Sequence, residues 1–268
     1  MNTTSHEPAM SEIKTVKQRL NNGKTVLMIT MGPMATPKMV EFVAHEGVFD
    51  AIWFDQEHTP STHKELENLF IACRAGGIDA VVRVPPTDYG TLMRPLEMGA
   101  SGLLVAQSRT VEDVKRIVSW AKYPPEGIRG LYSFNHESNW GVIPPAEQIV
   151  KANREHWLSI QIETVEAVNC VEQIAQIEGV DHLFIGPGDL SCTLGHPGDP
   201  MHPTCLAAMQ RIADAAKNAG IHWGLLTRGP DHAMAAREMG ATLFSITSEF
   251  IVIRQGIAAA KEAYADFF

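Results

Sequence analysis

The chain has 268 residues, 45% of them hydrophobic, and a formal net charge of −9. That is long for one ordinary domain, normal for an α/β barrel, and enough to bury about three quarters of the surface the unfolded chain exposes. The acidic balance argues against nucleic acid and anionic membrane as main partners, and no stretch approaches the ~20 apolar residues that span a bilayer.

The N-terminal stretch "MNTTSHEPAM" is polar and lacks the apolar run of a signal peptide, so residues 1–10 read as a short frayed leader on a cytoplasmic protein. From there, short β-rich runs alternate with helical patterns. The expected strands are "TVLMITMG" (25–32), "FDAIWFD" (49–55), "DAVVRVP" (79–85), "GLLVA" (102–106), "WLSIQIE" (157–163), "HLFIGP" (182–187), "HWGLLT" (222–227) and "TLFSITS" (242–248). Between them lie helical segments such as "PKMVEFVAHEG", "VEAVNCVEQIAQI" and "CLAAMQRIADAAKNAG", several ending in Gly. Near-continuous apolar strands suit parallel strands covered on both faces. Eight of them with intervening helices predict a (β/α)8 TIM barrel as a single domain over residues 11–268. A doubly wound sheet is the alternative, because strand count alone does not close a barrel. One connection, "PPEGIRGLYSFNHESNWGVIPP" after Tyr123, is long enough to be a functional loop or lid. Cys73, Cys170, Cys192 and Cys205 form no CxxC pair and read as reduced, mostly buried thiols.

In such a barrel the chemistry sits at the C-terminal strand ends. Strand 2 ends there in Asp55, Glu57 and His58, strand 3 in Arg83, strand 5 in Gln161 and Glu163, and strand 6 runs into "GPGDLS" with Asp189. Glu163 and Asp189 could share a structural hydrogen-bond network. Two adjacent carboxylates otherwise repel, unless a hard divalent ion sits between them with water and substrate oxygens completing its shell. Asp55 lies three residues before His58, close enough for its carboxylate to fix the imidazole tautomer and leave the other nitrogen as a base; a packed structural histidine is the bland alternative. Glu57 reads better as a structural ion pair. Arg83, inside an apolar strand, needs an anionic partner or serves as a cation aimed at a developing oxyanion. No lysine falls at a C-terminal strand end, which disfavours a Schiff base, and no GxSxG elbow is present.

The segments "FDQEHTP", "VRVP", "AKYPPEGIRG" and "QIETVEAVNCVEQIAQIEGVDHLFIGPGDLSCTLGHPG" resemble the HpcH/HpaI aldolases, metal-dependent class II pyruvate aldolases, over about residues 15–260. The resemblance implies Glu163 and Asp189 as metal ligands, His58 as catalytic base with Asp55 orienting it, and Arg83 on the keto oxygen. It implies the Gly188 and Asp189 backbone amides on the pyruvate carboxylate, Gln161 lining the metal site, and Glu97 where relatives carry an Asp that reaches a neighbouring subunit's site. It further implies a TIM barrel assembled as a trimer or hexamer with the C-terminal helix exchanged, using Mg2+, Mn2+ or Co2+ and no organic cofactor. The reaction implied is reversible cleavage of a 4-hydroxy-2-oxo acid to a 2-oxo acid and an aldehyde. Alternatives are a CoA-ester lyase of the malyl or citramalyl type, a non-catalytic 2-oxo acid binding barrel, and a phosphate-binding barrel using Arg228-Gly229. Departures fall at Val105-Ala106-Gln107-Ser108, where relatives carry Pro-Met, at "FNHESNWG" (134–141), and at Arg109, which could serve the pocket or cap a helix.

Overall fold

The computed structural model describes residues 14–267. The leader expected over 1–10 lies outside them. Eight parallel strands close in sequence order, β1 to β8, into a barrel. They are β1 (Val26–Met31), β2 (Ala51–Asp55), β3 (Asp79–Val84), β4 (Gly102–Val105), β5 (Trp157–Ile162), β6 (His182–Ile185), β7 (His222–Leu226) and β8 (Leu243–Ser248). Each falls inside the range its sequence predicts. Closure by β1 pairing with β8, Val26 opposite Leu243, disposes of the doubly wound alternative.

Side chains of a strand alternate between its two faces. One set, including Ile52, Phe54, Val82, Val84, Ile160 and Ile162, packs outward under the helices. The other set, including Met28, Trp53, Val81, Leu104, Trp157 and Phe184, fills the barrel interior. Counting on by twos along the inward set reaches Asp55 from Trp53, Arg83 from Val81, and Ser159, Gln161 and Glu163 from Trp157. The same alternation that buries the core therefore delivers the polar groups to one mouth, at the C-terminal end where barrel sites form.

The helices between strands carry the stop and start signals expected of them. Thr62 and Thr110 make capping boxes with Glu65 and Asp113, and Gly47, Gly77, Gly99 and Gly220 end helices in the left-handed conformation. One expected helix is two: Val165–Asn169 and Val171–Ala175 are separated at Cys170, whose φ of −122° and ψ of 18° leave the helical region. Asn, Val and Cys around the break are weak helix formers. The long connection after Tyr123 has no regular structure until helix Pro145–Glu155. A buried cluster pins it: Arg129 pairs with Glu137 at 2.8 Å and Gln148 donates to Glu137 at 3.1 Å. The C-terminal helix Glu249–Ala263 stands off the barrel, with Glu249 its one buried residue and Phe250, Ile251, Val252 and Ile257 exposed. Among the described residues no helix is long and apolar enough to cross a membrane, and Cys73, Cys170, Cys192 and Cys205 are all free.

Candidate active site

Asp55 and Arg83 end neighbouring strands and are register partners. That pairing makes a two-pronged ion pair: Arg83 Nε donates to Asp55 Oδ1 at 3.0 Å and Nη2 to Oδ2 at 2.6 Å. Arg83 Nη1 also lies 3.2 Å from Glu57 Oε2, an ion pair without hydrogen-bond alignment. The guanidinium stacks 4.8 Å from the Trp53 ring centre, inside the barrel. Its donors are thus largely committed to two carboxylates, which fixes the direction of the N–H groups that remain.

This corrects the expected role of Asp55 toward His58. Asp55 Oδ1 accepts the backbone N–H groups of Glu57 (3.0 Å) and His58 (3.3 Å), shaping the turn rather than holding the imidazole. Across-strand register gave the carboxylate a stronger partner than the three-residue spacing did. The His58 ring is 63% exposed, 3.7 Å from Glu57 Oε2, and makes no side-chain hydrogen bond among the described residues. Glu57, read as a structural ion pair, does contact Arg83.

On the other side of the mouth, Glu163 is fully buried just past the end of β5. Its Oε1 accepts the Gln107 N–H at 2.7 Å, and its Oε2 accepts from the Gln161 amide. Gln107 presents that N–H from a left-handed backbone, φ 52°, an uncommon posture for a residue with a Cβ. Burial pushes the Glu163 carboxyl up to about 7; the two hydrogen bonds oppose that, and the charges of Glu57 and Asp189 add to it. Gly186 follows β6 closely enough that an added Cβ would sit 2.6 Å from Glu163 Oε2 and 2.7 Å from Gln161 Nε2, so a side chain there would displace both groups. Asp189 is exposed, in the first turn of helix Pro187–Thr193, one residue after Gly188.

The oxygens here suit a hard cation. Glu163 is held against ionisation chiefly by burial, with a smaller push from the Glu57 and Asp189 charges, and the buried Gln161 Oε1 and Glu57 Oε2 have no hydrogen-bond donor. Among the described residues no three His, Cys, Asp or Glu side chains converge to enclose an ion. Mg2+ and Mn2+ accept shells in which the protein gives one or two carboxylates and substrate and water supply the rest.

A profile of the HpcH/HpaI aldolase/citrate lyase family matches residues 27–255. The chain belongs to that family. It is 34% identical to a pyruvate aldolase of Rhizobium etli over 251 residues, 93% of this chain and 96% of that protein. It is 34% identical to a 5-keto-4-deoxy-D-glucarate aldolase of Klebsiella pneumoniae over 232 residues, 86% of this chain and 89% of the other. The crystal structure of an HpcH/HpaI aldolase from Desulfitobacterium hafniense superposes with a TM-score of 0.84 at 29% identity, covering 93% of this chain and 96% of that one. Members named aldolase are carbon–carbon lyases, and the chain is a lyase of this family.

Glu249, Thr30 and Ser245 reach the mouth without having been read as site residues, and Arg228, read only as part of a phosphate-binding alternative, joins them. Glu249, buried, accepts the Gly32 N–H at 2.6 Å, and Thr30 Oγ1 lies 3.0 Å from Ser245 Oγ. Both follow the strand-end rule that picked out Glu163 and were legible by it. Arg228 lines the same cavity as His58 and Arg83. Glu97, by contrast, is on helix Tyr89–Met98 and lines a separate outer groove with Arg74, Arg94 and Trp140; burial raises its pKa. Arg109 is on the exterior, 3.5 Å from Gln107 Oε1.

Proposed function

We propose that this protein is a divalent-metal-dependent aldolase that reversibly cleaves a 4-hydroxy-2-oxo acid to pyruvate, or a related 2-oxo acid, and an aldehyde. The observation that carries the reading is the buried Glu163 carboxylate with the unpartnered Gln161 Oε1 beside it, next to the Asp55–Arg83–Glu57 ion pairs, in a member of this family. Glu163 and Asp189 would hold Mg2+, Mn2+ or Co2+. Bound there, the cation supplies Lewis acidity toward the carboxylate and keto oxygen of the oxo acid.

The chain's own groups account for the rest. Arg83, braced by Asp55 and Glu57, points its remaining N–H groups at the keto oxygen, where negative charge builds as the C3–C4 bond breaks. The backbone amides of Gly188 and Asp189 receive the carboxylate. His58 takes the 4-hydroxyl proton in cleavage and a methyl proton of pyruvate in synthesis. Its ring lacks an orienting partner within its own chain among the described residues, which leaves room for Glu97 of a neighbouring copy to supply one. The stand-off C-terminal helix, with four large apolar residues exposed at its start and middle, supports a trimer or hexamer in which that helix is exchanged.

The test is aldol addition of pyruvate or hydroxypyruvate to a panel of aldehydes with Mg2+, Mn2+, Co2+ or EDTA. Product with metal and none with EDTA is expected; no product with any metal and aldehyde overturns the reading.

A further inference from the structure

The barrel-mouth cavity has a volume of about 340 Å3. That is the lower end of small-molecule sites and suits a small aldehyde. His58, Asp55 and Arg83 line one side, and Arg228, Ile246 and Phe250 line another. Its two guanidinium groups differ in state. Arg83 is committed to Asp55 and Glu57. Arg228, two residues past the end of β7, has no carboxylate among the described residues within 4.0 Å, and its guanidinium makes no hydrogen bond there; its backbone N–H alone is used, by His232. Glu249, which lines the same cavity, turns one oxygen, Oε1, to the Gly32 N–H and makes no ion pair with Arg228 within 4.0 Å.

The guanidinium is also positioned. Its Nη2 is 2.8 Å from where a Cβ on Gly188 would lie, so the absence of a side chain at Gly188 gives it its berth. It stands between the start of helix Pro187–Thr193 and the cavity, beside the apolar walls of Leu226, Ile246 and Ile251. A fork of donors on an apolar wall is matched by an oxyanion and by little else.

We propose that Arg228 selects the aldehyde, by receiving an oxyanion on its tail, so that aldehydes carrying a carboxylate or phosphate are the preferred electrophiles. The assignment rests on the aldolase reading and adds to it the charge of the second reactant. Arg228 takes no part in bond making. In the synthetic direction a methyl C–H of pyruvate gives its proton to His58, the C–C bond forms, and a proton returns to the former aldehyde oxygen.

The test compares native protein, Arg228→Ala and Arg228→Lys with pyruvate and Mn2+ on two matched pairs: succinic semialdehyde against butanal, and glyceraldehyde 3-phosphate against glyceraldehyde. The native protein is expected to favour the charged member of at least one pair, and the pair that responds identifies the anion. Arg228→Ala is expected to lose about 10- to 100-fold in kcat/KM on that charged aldehyde, mainly through KM, and far less on its neutral partner. Arg228→Lys, with the charge but not the fork, falls between. Equal losses on both members, or a rise in the KM for pyruvate instead, overturn the assignment. Metal-dependent exchange of pyruvate methyl protons, which needs no aldehyde, separates the two levels. Exchange without any charge preference overturns the Arg228 assignment alone; no exchange in the native protein overturns the aldolase reading and this assignment with it.

Discussion

Glu163→Gln is expected to lower metal-dependent turnover by about 10²- to 10³-fold, the loss that follows from several kcal/mol of Lewis-acid stabilisation. The same substitution leaves the metal-free fold at least as stable as the native one near pH 8. The reason is the sign of the pKa shift. A carboxyl raised to about 7 by burial binds its proton more tightly in the fold than in the unfolded chain. The metal-free native protein therefore loses stability as pH climbs from the usual carboxylate range through about 7, and above that it carries the full cost of a desolvated charge. Glutamine has no such cost and keeps an oxygen to accept the Gln107 N–H. A bound cation reverses the balance for the native chain alone, adding about 2.7 kcal/mol when metal is at a hundredfold its Kd. Melting curves with and without Mn2+ at pH 8 read both effects. The native Tm rises with metal; that of Glu163→Gln does not. A variant that keeps metal-dependent turnover and metal-dependent Tm removes Glu163 from the metal site.

His58→Ala is expected to cut turnover by about 10²- to 10⁴-fold in both directions, the usual contribution of a positioned acid–base group. It should do so without unfolding the chain. The ring is 63% exposed and makes no side-chain hydrogen bond among the described residues, so its removal belongs with surface substitutions, worth about ±0.5 kcal/mol. An unchanged Tm beside lost activity assigns the loss to proton transfer. Near-normal activity dismisses His58 as the base. If, as proposed, Glu97 of a neighbouring copy completes the surroundings of this exposed imidazole, Glu97→Gln separates that contribution, since Glu97 lines a groove apart from its own barrel's mouth.

The barrel was readable because most strands are buried on both faces, which writes a short apolar run, and because Asp55, Arg83, Gln161 and Glu163 close such runs at their C-terminal ends. Trp53–Asp55, Val81–Arg83 and Trp157–Glu163 carry that signal in plain alternation. What was not readable is what depends on neighbouring strands. Asp55 faces His58 by spacing and Arg83 by register, and register is a property of the closed sheet. The left-handed Gln107 that hands its N–H to Glu163 has no composition signature, since that conformation usually announces itself with glycine or asparagine. Arg228 was visible as a charge at the end of β7, but its meaning came from the absence of an acid near it and from the space Gly188 leaves.

The account stands on a divalent ion held at the barrel mouth by Glu163 and Asp189, which lets the chain take a proton from a small oxo acid. The measurement closest to it is exchange of the pyruvate methyl protons in D2O, followed by proton NMR with no aldehyde present. The account predicts exchange with Mg2+, Mn2+ or Co2+, its loss in EDTA and its return when metal is restored in excess. Exchange that continues unchanged in EDTA, or that no metal elicits, contradicts it.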